Sequence, residues 1–551
     1  MNLSRLFVVS VCLSLSTAFA QANPPKSIFK PSDDIIGIIN SLPGMFADNA
    51  FDADTCAPTL QKVVDYFSGL RATSPAMIQH RDELLEQHDQ IVNRLWLSRV
   101  SLRDRIRALY LDGSFTANSG ACANGLRNYT RVIRHAEEFL IGIFYKDAKV
   151  PPHFGGEAPS LMLNPKFEVE YDRQHPEKNF RSGDIVLSRG GTSISATIAR
   201  ISKYDQQFSH IILVYRDPQT GQAYTIEAHI EDGVTVAPIK KMLGANTGRV
   251  TLFRHPDADL AHRAAEFMYR LAKRRQDMGV NIRYGFNMVL EDYFSRLPGP
   301  DAVTQDDLHA MFCPVVIRDG YAFASQHQLM VPMFQSELGF RNNRSVLDAL
   351  GIQVTHTFAP ADIEADPRFE MVADWRQTDK IEDMHQMDAT LTKVFEWVNK
   401  YNYTFRPEAS GQSDMALFGL WVRQNVPALD IFGVVKDKMP PYMTRSQAAI
   451  VGVINSVVGS VRDDLVKKED AYIAVQKKAW KKLKPRPAEF VPMPMTFRER
   501  LDALDDVREE DLKRHREFTN APFDPDGYGP TVSHFHRQIR AEDEPPLRKQ
   551  K

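Results

Sequence analysis

The chain is poor in cysteine, with four in 551 residues. No Cys/His set has the spacing of a metal site, so neither metal nor other cofactor is expected. An excess of basic charge is also missing. Lys and Arg total 68 against 70 Asp and Glu, for a formal net charge of -2. A nucleic-acid binder would carry a basic stripe, and none is present. The cluster Lys477-Lys478 with Lys481-Lys482 and Lys484 reads as a solvated helix face. Long apolar runs are absent as well. The best stretch, Ala448 to Val461, is short and interrupted by Asn455 and Ser456, so no transmembrane helix is expected. No internal repeat is found.

At the N-terminus, Arg5 precedes a largely apolar stretch from Leu6 to Leu15, and Ala18-Phe19-Ala20 offers a small-x-small site before Gln21. Residues 1–20 therefore read as a cleaved export signal, which implies a periplasmic or secreted protein. Cys12 leaves with the signal, and Cys56, Cys122 and Cys313 remain. In an oxidising compartment most cysteines pair, yet three is odd. Cys56 and Cys122 both lie in the N-terminal part, so a disulfide between them is favoured over two buried thiols, and Cys313 is left free.

Residues 21–175 are expected to be mainly helical. Apolar positions recur at three- and four-residue spacing over 78–111, and a second helix is predicted from Tyr129 to Tyr145. Residues 176–375 change character to an α+β block: short strands at Ile185–Leu187, Ser209–Tyr215, Ala223–Ala228, Val234–Ala237 and Arg249–Arg254, then a helix over Asp259–Arg274 and another through Cys313. Residues 376–551 return to helix, with Ile381–Tyr401, Arg445–Leu483 and Phe497–Phe518 as long candidates before a mobile tail. These long amphipathic helices suit packing on the core or on another copy of the chain.

Chemistry concentrates at three places. Cys313 lies in Met311-Phe312-Cys313-Pro314, where proline suits a first helical turn. A thiol there meets free backbone N–H groups and the positive end of the helix dipole, which favour the thiolate. The plainer alternative is an inert buried cysteine. His210 opens an apolar strand after Ser209, and Glu227 sits on the returning strand. Neighbours on one face of such a pair come close enough to hydrogen-bond, and a carboxylate so placed fixes the imidazole tautomer. His229 is a second candidate base on the same face as Glu227. Ser188-Arg189-Gly190-Gly191 lacks the Lys-Ser/Thr ending of a phosphate loop.

Taken in order, Gly183-Asp184-Ile185-Val186, Ser209-His210-Ile211, Ile226-Glu227-Ala228 and Phe312-Cys313 resemble the permuted papain-like cysteine hydrolases, the YiiX-like group related to NlpC peptidases. The resemblance covers about residues 180–330 and leaves both helical flanks aside. It implies an antiparallel sheet with the nucleophile last in the chain. It also implies Cys313 as nucleophile, His210 as base and Glu227 as the group that orients it. Tyr284 matches a site tyrosine upstream of the nucleophile, and Ser209 accompanies the histidine; both are expected near the substrate. The group usually has Ser-Glu after the cysteine, where this chain has Pro314-Val315, and often Tyr-Asp where this chain has Tyr284-Gly285. The implied substrate is an amide, such as a peptidoglycan peptide. A lipid acyl group and a non-catalytic envelope scaffold are the competing expectations.

Overall fold

The computed structural model describes residues 34–46, 51–144, 161–169, 176–203, 206–243, 247–290, 310–340, 343–425, 442–482, 491–520 and 535–541. The expected signal at 1–20 lies outside them, and so does most of the expected mobile tail. Within that tail, however, Phe535 and His536 are buried and Ile539–Ala541 pairs with Tyr403–Phe405, so apolar burial fixes a segment expected to be mobile.

The N-terminal part is helical as expected. It comprises α1 (Ile35–Met45), α2 (Ala53–Gly69), α3 (Pro75–Gln79), α4 (Arg81–Glu86), α5 (His88–Leu111) and α6 (Gly120–Phe144). The continuous apolar rhythm over 78–111 is divided at His80 and Gln87 into separate helices. Asp52 caps α2 by accepting from the Asp54 and Thr55 N–H groups, and Thr55 returns a bond to the Asp52 backbone. α2 and α6 pack together, and the Cys56–Cys122 disulfide joins them. The loop it closes spans 66 residues. Reducing it should lower unfolding stability by about 4 kcal/mol, from the entropy returned to the unfolded chain. Urea unfolding with and without reductant checks this.

The strands and helices that follow are β1 (Leu161–Leu163), β2 (Ile185–Gly190), α7 (Ser193–Arg200), β3 (His210–Arg216), β4 (Ala223–His229), β5 (Gly233–Pro238), α8 (Ile239–Leu243), β6 (Thr247–Arg254), α9 (Ala258–Asp277), α10 (Cys313–Ala324), β7 (Ser336–Glu337), α11 (Ser345–Leu350), β8 (His356–Thr357) and β9 (Glu370–Arg376). The C-terminal part holds α12 (Ile381–Tyr401), β10 (Tyr403–Phe405), α13 (Gly411–Asn425), α14 (Arg445–Lys482), α15 (Phe497–Asn520) and β11 (Ile539–Ala541). The fold is thus α+β, with a seven-stranded antiparallel sheet in the order β1-β9-β6-β2-β3-β4-β5. β1 comes from the stretch read as helical; three residues are too few to show a strand alternation.

Both sheet faces are covered. Ile185, Leu187, Ile211, Leu213, Ile226 and Ala228 share a core with apolar residues of α9 and α10. Val186, Ile212, Val214, Val250 and Leu252 pack into a separate cluster on the other face. The Ser182-Gly183-Asp184 turn ties the sheet to the helices. Gly183 has φ +82, and a β-carbon there would lie 2.4 Å from that of Ala261. Asp184 accepts two bonds from Arg254, both 2.7 Å, while Tyr321 of α10 donates to the Gly183 carbonyl at 2.7 Å.

Between the N-terminal helices, the sheet and α12 lies a buried network of charges. Glu138 of α6 accepts two bonds of 2.6 Å from Arg249 of β6, one of 3.0 Å from Arg376 of β9, and faces His385 of α12 at 2.7 Å. Arg99 of α5 bonds Glu137 at 3.1 Å and also reaches Asp374. Arg189 of β2 donates to Asp388 of α12 at 2.9 Å. Every group in this network is almost fully buried, so each charge depends on its partners for the solvation it has lost. Among the described residues, no helix is long and apolar enough to cross a membrane.

Candidate functional site

The hydrogen-bonded ladder between β3 and β4 runs from Leu213↔Ile226 to Arg216↔Ala223 and goes no further toward His210. Beyond it the strands fork. Carrying the register onward sets His210 opposite His229, with Glu227 on the diagonal and on the same face. Strand alternation thus produces the pairing that the sequence suggested. His210 Nε2 lies 2.9 Å from Glu227 Oε2, and His229 Nε2 lies 3.2 Å from the same oxygen. The two imidazoles stack with centroids 5.0 Å apart. Thr225, two residues before Glu227, donates to its other oxygen at 2.8 Å. The same alternation could have found Thr225 in the sequence.

α10 packs its N-terminal end against β3 and β4 at this fork. Phe312 is the N-cap, Cys313 the first helical residue, and Pro314 stands within the first turn, where its missing N–H leaves no gap. The approach to the helix is held by backbone pairing. Gly285 N–H donates to the Met311 carbonyl at 3.1 Å, and Met311 N–H to the Arg283 carbonyl at 2.9 Å. A β-carbon at 285 would stand 2.8 Å from the Ala310 carbonyl oxygen, so the glycine in Tyr284-Gly285 permits this close approach.

The Cys313 thiol faces the Ile211 N–H and its own N–H. Ile211 is on the fork side of β3, one residue from His210. Cys313 is buried, whereas the His210 and His229 side chains are 19% and 41% exposed. No hydrogen bond joins Cys313 to His210 in this resting arrangement. With Nε2 of His210 engaged by Glu227, Nδ1 is the nitrogen left for the thiol.

Electrostatics correct one expectation. The helix N-terminus does not produce a resting thiolate. Burial pushes the Cys313 thiol up to about 12, against the two backbone N–H groups, and the nearby Glu227 charge adds to the rise. Burial also lowers His210 below its ordinary value, with the Glu227 bond opposing. For Glu227 itself, burial disfavours the charge, but bonds from His210 and His229 outweigh it and hold the carboxyl well below the usual range. His229 is raised: its burial works the other way, and Glu227 prevails. The resting site is therefore a neutral thiol, a neutral His210 and an ionised Glu227.

Tyr284 is buried beside the thiol, and burial together with the neighbouring Cys313 raises its phenol. Its backbone N–H donates to Tyr442 Oη at 3.2 Å, and Tyr442 donates to the Ile230 carbonyl at 2.9 Å. Tyr442 lies far along the chain, and no linear motif marks it. Ser209, by contrast, turns its hydroxyl to Ser195 and to the Ser188 carbonyl at 3.4 Å, so it braces β2 and α7 at the strand entry. An apolar pocket of about 70 Å³ borders Tyr284, with Ile194, Ile198, Phe286, Met288 and Ile454 among its walls.

Folding also creates groups that linear spacing does not reveal. His210, Glu227 and His229 offer ligand atoms within 4.8 Å of one another, as do His135, Glu138 and His385. The first trio could hold a cation only by giving up the bonds that orient His210. No protein-family model, curated protein or solved structure matches this chain.

Proposed function

We propose that the protein is a cysteine hydrolase with a permuted papain-like core, acting on an amide bond in a periplasmic or extracellular compartment. The observation that carries this reading is the His210–Glu227 bond of 2.9 Å at the strand fork where α10 delivers the Cys313 thiol. The Cys56–Cys122 disulfide supports the compartment.

In the proposed cycle, substrate brings the thiol and His210 into contact; such bonds are often open in the free enzyme. His210 Nδ1 takes the thiol proton as sulfur attacks the carbonyl carbon. The Cys313 N–H donates to the oxyanion. Collapse breaks the C–N bond, and the imidazolium returns the proton to the leaving amine. Water, deprotonated by His210, then cleaves the thioester, giving a carboxylate and the free thiol. Glu227 stabilises the transient imidazolium throughout.

The pocket beside Tyr284 bears on the substrate. Its walls are mostly apolar, which suits an apolar group of the substrate next to the scissile bond. The test is mass spectrometry of mature protein and its Cys313→Ala variant incubated with peptidoglycan fragments and with phospholipids. Peptide cleavage lost in the variant supports the amide reading, and Cys313-dependent fatty-acid release moves the assignment to lipid. No Cys313-dependent product from either pool contradicts the proposal.

The pH dependence has a defined sign. His210 must be neutral to accept the proton, and its value lies below the ordinary 6.5. Hydrolysis should therefore rise with pH along an acid limb centred below 6.5, with a plateau above about pH 7. An initial-rate profile of kcat/KM checks this. A limb centred above 6.5 would assign the base to His229, whose value is raised.

A further inference from the structure

Glu227 serves two imidazoles, and the proposed hydrolytic cycle uses only one. His210 Nε2 lies 2.9 Å and His229 Nε2 3.2 Å from the same oxygen, Oε2, and the rings stack with centroids 5.0 Å apart. One carboxylate orienting one base is enough for proton transfer. The second ring therefore calls for another role. Two imidazoles and a carboxylate are a donor set that suits zinc, with water in the fourth position. At bonds of about 2.0–2.2 Å, tetrahedral ligands stand about 3.3–3.6 Å apart. The separations of 2.9 and 3.2 Å are within a few tenths of an ångström of that range, and all three ligand atoms lie within 4.8 Å of one another.

The surroundings favour a cation. Thr225 donates to Glu227 Oε1 at 2.8 Å, an outer contact of the kind that orients a ligating carboxylate, and it leaves Oε2 to the two rings. Glu231 and Asp232, in the turn before β5, act on His229 in the same sense as Glu227. These carboxylates outnumber Arg283, which acts on Tyr442 beside Ile230. The His229 side chain is 41% exposed, so the fourth position opens to water. Imidazole donors select ions of the zinc class over Mg²⁺ and Ca²⁺. The other such trio, His135, Glu138 and His385, is buried beside the cavity between α1, α6 and α15, and Glu138 there already accepts from Arg249 and Arg376.

We propose that His210, Glu227 and His229 bind a divalent cation of the zinc class, and that the bound ion switches hydrolysis off. The binding half stands on the trio alone; the inhibitory half rests on the cysteine-hydrolase reading. Nε2 of His210 is turned to Glu227, and Nδ1 is left for the thiol. A cation on Nε2 therefore sits across the ring from Cys313, and the thiol is not a ligand. Neutral imidazole carries one proton, so when the metal takes Nε2 that proton moves to Nδ1. Nδ1 then has no lone pair to accept the thiol proton, and Glu227 no longer orients the base.

Isothermal titration calorimetry of the full mature chain with ZnCl₂, and with MgCl₂ as comparator, tests the binding in a non-chelating buffer at neutral pH without substrate. Zn²⁺ should saturate one site and Mg²⁺ should not. His229→Ala and Glu227→Gln should each weaken Zn²⁺ by about tenfold or more, while Cys313→Ala should bind as the parent does. His229 is partly exposed, so its alanine variant should fold, and far-UV circular dichroism checks this. In the second arm, Zn²⁺ should inhibit hydrolysis by the parent with a midpoint at its binding constant, and EDTA should restore the rate. His229→Ala should need about tenfold more Zn²⁺ or above for the same fractional inhibition. Zinc binding that is lost in His229→Ala upholds the site even where no substrate is cleaved, so a failure of the hydrolase reading is told apart. The site is overturned by an absence of saturable Zn²⁺ binding to the parent, by parent-like binding in both His229→Ala and Glu227→Gln, or by loss of binding in Cys313→Ala. Undiminished hydrolysis by the zinc-saturated protein overturns the switch.

Discussion

Alanine at His210 is expected to cut hydrolysis by about 10⁴-fold, and alanine at Cys313 by at least as much, with folding preserved. The magnitude follows from the resting site. Burial pushes the Cys313 thiol up to about 12, so the proposed mechanism depends on His210 to remove its proton. Glu227→Gln keeps the shape but removes the charge that orients His210, and should lose about 10²–10³-fold. His229→Ala should lose less than about tenfold, because His229 shares Glu227 from the more exposed side. Measured kcat/KM values on a cleaved cell-wall peptide give all four results. Equal losses at His210 and His229 would contradict the assignment of the base.

Glu138→Ala should lower unfolding stability by about 3–5 kcal/mol. Glu138 is fully buried and answers Arg249, Arg376 and His385 at once, so its removal leaves two guanidinium groups without that carboxylate in the interior. Burial opposes its charge, yet Arg249 and His385 hold the carboxyl well below the usual range. Its folded value is depressed relative to the unfolded one. Its stabilisation is therefore present above the unfolded carboxylate value, about 4.3, and is lost as pH falls through the folded value. Urea unfolding of the parent and variant at neutral pH measures the difference. A loss below about 1 kcal/mol would mean that the network relaxes around the gap.

The strands and long helices were legible in the sequence because their apolar rhythm is local. Ile381–Tyr401 is recovered to the residue, and the strand containing His210 is displaced by one. The pairing of His210 with Glu227 was also legible, since a tight turn after Tyr215 limits how two strands can align. The buried charge network was not. Periodicity counts Arg249, Arg376 and Glu138 as outward-facing polar groups, and their partners lie more than a hundred residues away in the chain. The state of the thiol was missed for a related reason. Helix position can be read locally, but the depth of burial that outweighs it comes from β3, β4 and Tyr284 together. Tyr442 and the cavity near His135 likewise exist only once distant helices meet.

The central claim is that Cys313 forms a thioester through His210. The most direct test is acid-quenched mass spectrometry after brief exposure of the mature protein to p-nitrophenyl acetate, with peptide mapping. The account predicts an acetyl group on the peptide containing Cys313, removable by neutral hydroxylamine and strongly reduced in His210→Ala. An unmodified Cys313 peptide, or acetylation at an undiminished rate without His210, would contradict it.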